Sequence, residues 1–233
     1  MTASGARVRR ACALVRLAVA VLGAVALIFD FDYVLGFSTF STVNYFSYFT
    51  FQSNLLNVIV LGVSGVLLLR GHVVGGFLSS IRATSTTYVV VSGIVFGLIV
   101  SQAGSHHYRI DVPWSSQILH FWIPSYMLLD WLIGVGRRRL LWRVVPLVLI
   151  FPVIWGVFTL IRGSIVRWYP YFFLDPAQVS GPLEFVMYCG IALGLFAGIT
   201  AGLVALSRLR PWGWLSLAAT RRRTARDSPA PPG

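Results

Sequence analysis

The chain has 233 residues, of which 57% are hydrophobic and 11% are charged, and its mean hydropathy is +0.77. Water-soluble domains carry about a quarter charged residues, so this composition excludes an ordinary soluble domain and indicates an integral membrane protein. The net charge of +12 comes from 19 basic residues, all arginine, but no recognition motif accompanies it, so nucleic acid is not a predicted partner.

Six apolar stretches of about 20 residues, each long enough to cross a bilayer, follow one another along the chain. They cover Leu14 to Leu35, Ser47 to Leu69, Thr86 to Ala103, Ser115 to Gly136, Leu140 to Ile161 and Leu183 to Leu206. The connecting segments are short, so we predict an all-α, polytopic membrane protein with a single bundle of six transmembrane helices. This domain covers 14–206, between a cytoplasmic N-terminus at 1–13 and a basic, proline-rich, disordered cytoplasmic tail at 207–233.

The arginines are distributed unevenly about these spans. With the N-terminus inside, sixteen of the 19 arginines fall on the cytoplasmic side, and Arg109, Arg162 and Arg167 fall outside. Cytoplasmic loops of membrane proteins carry an excess of basic residues. The count therefore predicts that both termini are cytoplasmic.

The second span begins with a stripe of polar side chains. Thr50, Ser53, Asn54 and Asn57 follow the spacing i, i+3, i+4 and i+7, so they share one helix face. A polar face within a membrane must point at protein or water. The stripe therefore has two interpretations, hydrogen bonding between helices or a functional site.

The fourth span carries His120 inside an apolar run, and an ionisable residue in a span is a functional hypothesis by default. If this span enters from outside near Ser115, His120 lies about 7 Å deep at 1.5 Å per residue. Thr50 lies within about one turn of the same outer boundary. A hydroxyl and an imidazole at matching depth are the parts of a nucleophile and its base.

These residues predict a Thr/His dyad. Thr50 would attack an ester carbonyl, while His120 takes the proton and returns it to the leaving alcohol. Ser53, Asn54 and Asn57 are the candidate donors to the developing oxyanion. No Cys/His cluster has the spacing of a metal site, and neither a metal nor another cofactor is predicted.

An acid that orients His120 is less clearly indicated. Asp130 lies about 15 Å further along the same helix and is excluded by that distance. The acids near the outer side, which remain open as candidates, are Asp30, Asp32, Asp111 and Glu184. The sequence therefore predicts a dyad and leaves a third member undecided.

Three segments resemble one protein family. They are Tyr48-Phe49-Thr50-Phe51-Gln52-Ser53-Asn54-Leu55, then Leu119-His120 with Pro124 and Asp130-Trp131, and Trp168-Tyr169-Pro170-Tyr171-Phe172-Phe173-Leu174-Asp175-Pro176. Over roughly residues 12 to 206 the chain is similar to bacterial relatives of the androgen-induced and androgen-dependent membrane hydrolases.

The resemblance implies a six-span threonine hydrolase of a bacterial inner membrane that cleaves fatty acid esters of hydroxy fatty acids. Thr50 and His120 then correspond to the family's threonine and histidine. In the animal members an asparagine follows the threonine at three positions, whereas Asn54 follows Thr50 at four. Ser53 is therefore the alternative nucleophile.

Two other classes compete with the lipid esterase. A noncatalytic lipid-binding or scaffold protein would use Thr50 and His120 to hold helices together. A transporter is less favoured, because the spans lack broken pairs and an inverted repeat. In the esterase hypothesis the partner is a membrane lipid or a long-chain lipid ester.

Overall fold

The computed structural model describes residues 3–37, 41–72, 75–105 and 112–209. In these ranges every regular element is helical, and five helices are long and apolar enough to cross a membrane. The predicted all-α membrane fold is confirmed at this level, whereas the predicted fourth span, which is not among these five helices, and the cytoplasmic termini stay predictions. Asp111 and the predicted tail from residue 210 onward lie outside the described residues.

The five long helices are joined by short elements. In chain order the structure begins with the long helix α1 (Ala3–Leu35) and the short helix α2 (Thr42–Ser47). The long helices α3 (Phe49–Leu69) and α4 (Gly76–Ser105) follow. The last two helices are α7 (Val144–Val166) and α8 (Pro182–Leu206), with a 3₁₀ turn at Phe172–Leu174 between them.

The predicted fourth span consists of three consecutive helical segments. These are α5 (Trp114–Gln117), a π-helical turn (Ile118–Trp122) and α6 (Ile123–Ile133). Gly134 ends the helix in the left-handed conformation, with φ of 74°, which glycine adopts without steric penalty. The span is thus one unbroken helix whose winding changes around His120.

Helix α4 lies at the centre of the bundle, where it contacts α3, the π-helical turn, α6 and α8. It begins at Gly76, ten residues before the predicted Thr86. Its first turns are rich in Ser, Thr and Arg, and the side chains of Ser79, Arg82 and Ser85 are buried by neighbouring helices. A reading by hydropathy misses such a segment because protein, not lipid, surrounds it.

Two hydrogen bonds between side chains fix the antiparallel register of α3 and α4. Thr50 Oγ1 and Ser92 Oγ are 2.9 Å apart, and Ser85 Oγ donates to Asn57 Oδ1 at 2.9 Å. On each helix the two residues are seven positions apart, which is about two turns. The polar stripe of α3 therefore faces a matching polar stripe of α4.

A buried ion cluster, formed by Arg16, Arg82 and Asp130, joins α1, α4 and α6 far from Thr50. Arg16 Nε lies 2.9 Å from Asp130 Oδ1, and Arg82 Nη2 lies 2.5 Å from Asp130 Oδ2. Arg16 also donates to the Val135 carbonyl at 2.7 Å. The arginine count places both arginines in cytoplasmic segments, but the structure places them within helices with side chains buried by protein.

Candidate functional site

Thr50 and His120 line the same cavity, of about 340 Å³, near the start of α3. We call it the dyad cavity. Its other polar lining residues are Asp30, Tyr33, Tyr45, Tyr48, Ser92, Ser116 and Tyr171. The structure thus brings together the hydroxyl and the imidazole selected from the sequence, while their catalytic roles stay predictions.

Ser92 contacts both Thr50 and His120. Its hydroxyl is hydrogen-bonded to Thr50 Oγ1, and its backbone is a hydrogen-bond partner of the His120 imidazole. Ser92 is 5% exposed and lines the cavity from α4. Sequence reasoning missed this residue, although Ser85 and Ser92 repeat at the same seven-residue spacing as Thr50 and Asn57.

The π-helical turn has a local cause. Pro124 has no N–H, so the His120 carbonyl lacks the donor that an α-helix would supply. The chain closes a wider turn instead, in which the Ile123 N–H bonds to the Ile118 carbonyl. The His120 carbonyl faces α4, where a Cβ on Gly93 would lie only 2.3 Å from its oxygen. Glycine at position 93 therefore permits the close approach of the His120 backbone to α4, and this approach fixes where His120 lies along α4.

The imidazole of His120 is held by packing. Its ring stacks on Phe96 with centroids 3.7 Å apart and an angle of 10° between the planes. The side chain is buried, and Nδ1 has no hydrogen-bond partner within the described part of the chain. An unpaired ring nitrogen in a buried histidine is uncommon and calls for a functional explanation.

The described candidate orienting acids differ in position, and of these only Asp30 lines the dyad cavity. Asp30 lines the dyad cavity, where Tyr45 Oη donates to Oδ2 at 3.1 Å and Ser115 Oγ donates to Oδ1 at 3.4 Å. Asp32 is exposed, and Glu184 accepts the Ser180 N–H at the start of α8. None of the described acids bonds to Nδ1 of His120.

Two of the three predicted oxyanion donors, Ser53 and Asn54, already donate to an acceptor, whereas Asn57 Nδ2 has no partner within the described residues. Ser53 Oγ and Asn54 Nδ2 donate to the Thr50 carbonyl at 3.1 Å and 3.0 Å, and Asn57 Oδ1 accepts from Ser85. None of the three is among the residues that line the dyad cavity. Ser53 and Asn54 support the backbone that carries Thr50, Asn57 joins α3 to α4, and the oxyanion role of all three stays a prediction.

Tyr171, from the loop between α7 and α8, reaches the first turn of α3. Its hydroxyl interacts with the Thr50 side chain and with the backbone groups of Phe49 and Thr50. The first N–H groups of a helix have no acceptor within that helix, so they are available there. Burial raises the pKa of Tyr171 to about 12, and the hydroxyl is therefore protonated at neutral pH. Sequence reasoning singled out this aromatic loop but not Tyr171.

A second cavity, of about 240 Å³, lies between α4, α7, α8 and the same loop. We call it the apolar cavity. It is lined by hydrophobic side chains such as Val95, Trp155 and Phe196, and it shares Ser92 and Tyr171 with the dyad cavity. The apolar cavity therefore adjoins the dyad cavity at Ser92 and Tyr171.

In the ranges that the structure describes, no three His, Cys, Asp or Glu side chains converge as a metal site requires. Comparison with known proteins gives no match: no protein family, characterised protein or solved structure is significantly similar to this chain.

Proposed function

We propose that the protein is an intramembrane hydrolase of long-chain esters, with Thr50 as the nucleophile and His120 as its base. One observation carries this proposal. The Thr50 hydroxyl and the buried imidazole of His120, whose Nδ1 has no partner, line one cavity in a membrane-type bundle. A base must reach its proton directly or through one water, and placement of both side chains on one cavity supports such an arrangement.

The reaction proceeds in two stages. Thr50 Oγ1 attacks the ester carbonyl carbon while His120 takes the hydroxyl proton, and the resulting tetrahedral intermediate collapses as His120 returns that proton to the leaving alcohol. Water then attacks the acyl-Thr50 ester with His120 again as base. The fatty acid leaves and Thr50 regains its proton.

The developing oxyanion needs hydrogen-bond donors aimed at it. Tyr171 offers a protonated hydroxyl beside Thr50, and the backbone groups of Phe49 and Thr50 at the first turn of α3 interact with that hydroxyl. A helix N-terminus also carries partial positive charge, which favours an anion. In the proposed mechanism Tyr171, and not Ser53, supplies the side-chain donor, since Tyr171 lines the dyad cavity and Ser53 does not.

The apolar cavity suits an acyl chain, since hydrophobic side chains surround it and it adjoins Thr50 through Ser92 and Tyr171. The substrate class implied by the family resemblance, fatty acid esters of hydroxy fatty acids, has such chains. The ester would lie where the two cavities meet.

Mutation of the dyad tests the function. Purified Thr50→Ala and His120→Ala proteins should lose hydrolysis of a long-chain ester roughly 10³-fold or more, as catalytic nucleophiles and bases do. Thr50→Ala should also lose covalent labelling by a fluorophosphonate probe. The free energy of unfolding in detergent should fall by about 1 kcal/mol or less for Thr50→Ala. It should fall by more for His120→Ala, which removes a buried ring that stacks on Phe96.

Ser53→Ala is the matched control, since Ser53 lies one turn along the same helix and bonds only to the Thr50 carbonyl in the described structure. It should keep labelling and turnover. If Ser53→Ala is inactive and Thr50→Ala is active, the nucleophile is Ser53. If both variants hydrolyse at the parental rate, the protein is not this kind of enzyme.

A noncatalytic lipid-binding or scaffold role is the second candidate. The pairs Thr50 with Ser92 and Asn57 with Ser85 are hydrogen bonds between helices, which is what such a role requires. On that view Thr50→Ala lowers stability by about 1 kcal/mol and the parental protein hydrolyses no ester.

A further inference from the structure

The dyad cavity is acidic. Asp30 is the one acidic side chain that lines it, and no arginine is among its lining residues in the described structure. Arg162 of α7 is engaged elsewhere, because it donates to Asn44 Oδ1 at 2.6 Å and lies over the Trp168 ring. Among the described lining residues, an anionic group that entered the cavity would therefore meet the Asp30 carboxylate and no arginine.

Asp30 is held at the cavity wall in a defined position. Each of its oxygens accepts one hydrogen bond, from Tyr45 and from Ser115. A carboxylate offers about four acceptor sites, so sites remain for hydroxyl groups of a ligand. Two carboxylates in one desolvated cavity disfavour each other, whereas alcohol hydroxyls donate to a carboxylate.

The other lining groups fit the same kind of ligand. Tyr33, Tyr48 and Ser116 bring further hydroxyls to the cavity, and these can donate or accept. The apolar cavity on the other side of Ser92 and Tyr171 is suited to the acyl chain. The two compartments therefore distinguish the two halves of an ester, the acyl half and the alcohol half.

We propose that the alcohol half of the substrate is an uncharged polyol, as in a fatty acid monoester of glycerol, whose hydroxyls bind Asp30. This inference rests on the proposed function and narrows it. The family resemblance implies hydroxy fatty acid esters, whose alcohol half ends in a carboxylate. The acidic dyad cavity disfavours that end group.

The test compares substrates with the same acyl chain and opposite end groups. Purified protein in an uncharged detergent is given monooleoylglycerol, the oleoyl ester of a hydroxy fatty acid, and that same ester with its carboxyl group reduced to a primary alcohol. We expect kcat/KM for both uncharged substrates to exceed that for the acid at least tenfold. Equal or faster hydrolysis of the acid would overturn the inference and leave the ester hydrolase intact.

Two variants then locate the cause. Asp30→Asn should reduce the preference to about threefold or less, mainly by faster hydrolysis of the acid. Asp32→Asn is the matched control, because Asp32 is exposed two residues further along α1 and does not line the cavity. A preference that survives Asp30→Asn would overturn the role of Asp30.

The comparison of substrates in the parental protein stands without any variant, so a poorly folded Asp30→Asn protein does not undermine it. If the parental protein hydrolyses none of the three esters, the proposed function is overturned, and this inference with it.

Discussion

At one end of the bundle polar side chains face a cavity, and at the other end they face one another. The dyad cavity has a hydroxyl, an imidazole and a carboxylate arranged around about 340 Å³ of open volume. In the ion cluster both oxygens of Asp130 are taken by arginines, and none of the three residues lines either cavity. Polar groups of the first kind are available to a ligand, while those of the second kind hold helices.

The ion cluster is not expected to add much to the free energy of unfolding. It buries two cations against one anion, and Arg16 Nη1, Arg82 Nε and Arg82 Nη1 have no hydrogen-bond partner within the described residues. Burying charge is costly, and a buried salt bridge is weak evidence for stability. Removing one partner, however, leaves the others uncompensated, so the cluster is sensitive to loss of its single acid.

The largest effect on stability is expected at Asp130. Asp130→Asn removes the charge that both arginines face, and it should destabilise the fold by about 3 to 5 kcal/mol. Unfolding in detergent measures this, with Asp32→Asn as an exposed control within about 0.5 kcal/mol of the parent. A stable but inactive Asp130→Asn protein would break the contrast between the two ends.

Gly93→Ala should have the next largest effect. A Cβ at this position would lie 2.3 Å from the His120 carbonyl, so the two helices must move apart. We expect a loss of about 1 to 3 kcal/mol from overpacking, together with reduced ester hydrolysis because His120 moves.

Gly97→Ala is the matched control for this change, one turn further along α4. There the new Cβ would meet Phe121 at an ordinary 3.7 Å. Alanine also has the higher helix propensity, so this variant should be as stable as the parent or slightly more stable. Equal behaviour of the two alanine variants would show that the close approach at Gly93 does not position His120.

Ser92→Ala and Ser85→Ala form a pair that separates the two kinds of polar contact on one helix. Ser85→Ala leaves Asn57 Oδ1 buried without its donor and should cost about 1 to 3 kcal/mol of stability without changing turnover. Ser92→Ala should cost about 1 kcal/mol and slow hydrolysis roughly tenfold, since Thr50 loses its partner. The contrast fails if Ser85→Ala slows hydrolysis as much as Ser92→Ala does.

The smallest effect concerns the loop that carries Tyr171. Hydrogen bonds from Gln178 and from the Ala177 N–H lower the pKa of Asp175. Because the folded pKa lies below the unfolded value of about 3.9, the stabilisation is present above that value and is lost as pH falls through the folded pKa. The protection of the loop amides against hydrogen exchange, corrected for the intrinsic pH dependence of exchange, should therefore fall in acid. Asp175→Asn should remove this acid-dependent step, and an unchanged pH profile in that variant would assign it to another group.

The sequence predicts the spans well where lipid surrounds them and less well where protein does. Apolar runs give the ends of α3 and α8 to within about two residues, yet the polar start of α4 is hidden because its environment is other helices. The helix rise correctly separates Asp130 from His120. Its pairing with Arg16 and Arg82 depends on contacts between helices that no local pattern encodes.

The candidate site shows the same division. Thr50 and His120 could be selected because a polar or ionisable residue in an apolar span stands out by itself. Ser92 and Tyr171 could not, since serines and tyrosines are common near span ends and their importance comes from packing against Thr50. The π-helical turn follows from the missing N–H of Pro124, whereas the close packing of its His120 carbonyl on α4 depends on Gly93.

That π-helical turn also sets how the helical segments before and after it, α5 and α6, are rotated relative to each other. An α-helix advances about 100° per residue, and one extra residue in a turn rotates everything before it relative to everything after it. His120 lies within the turn and faces the dyad cavity, while Asp130 lies after it and faces the ion cluster. Deleting a single residue from Ile118–Trp122 would leave a helix just as apolar and long enough to cross a bilayer, but its two halves would no longer face their separate partners.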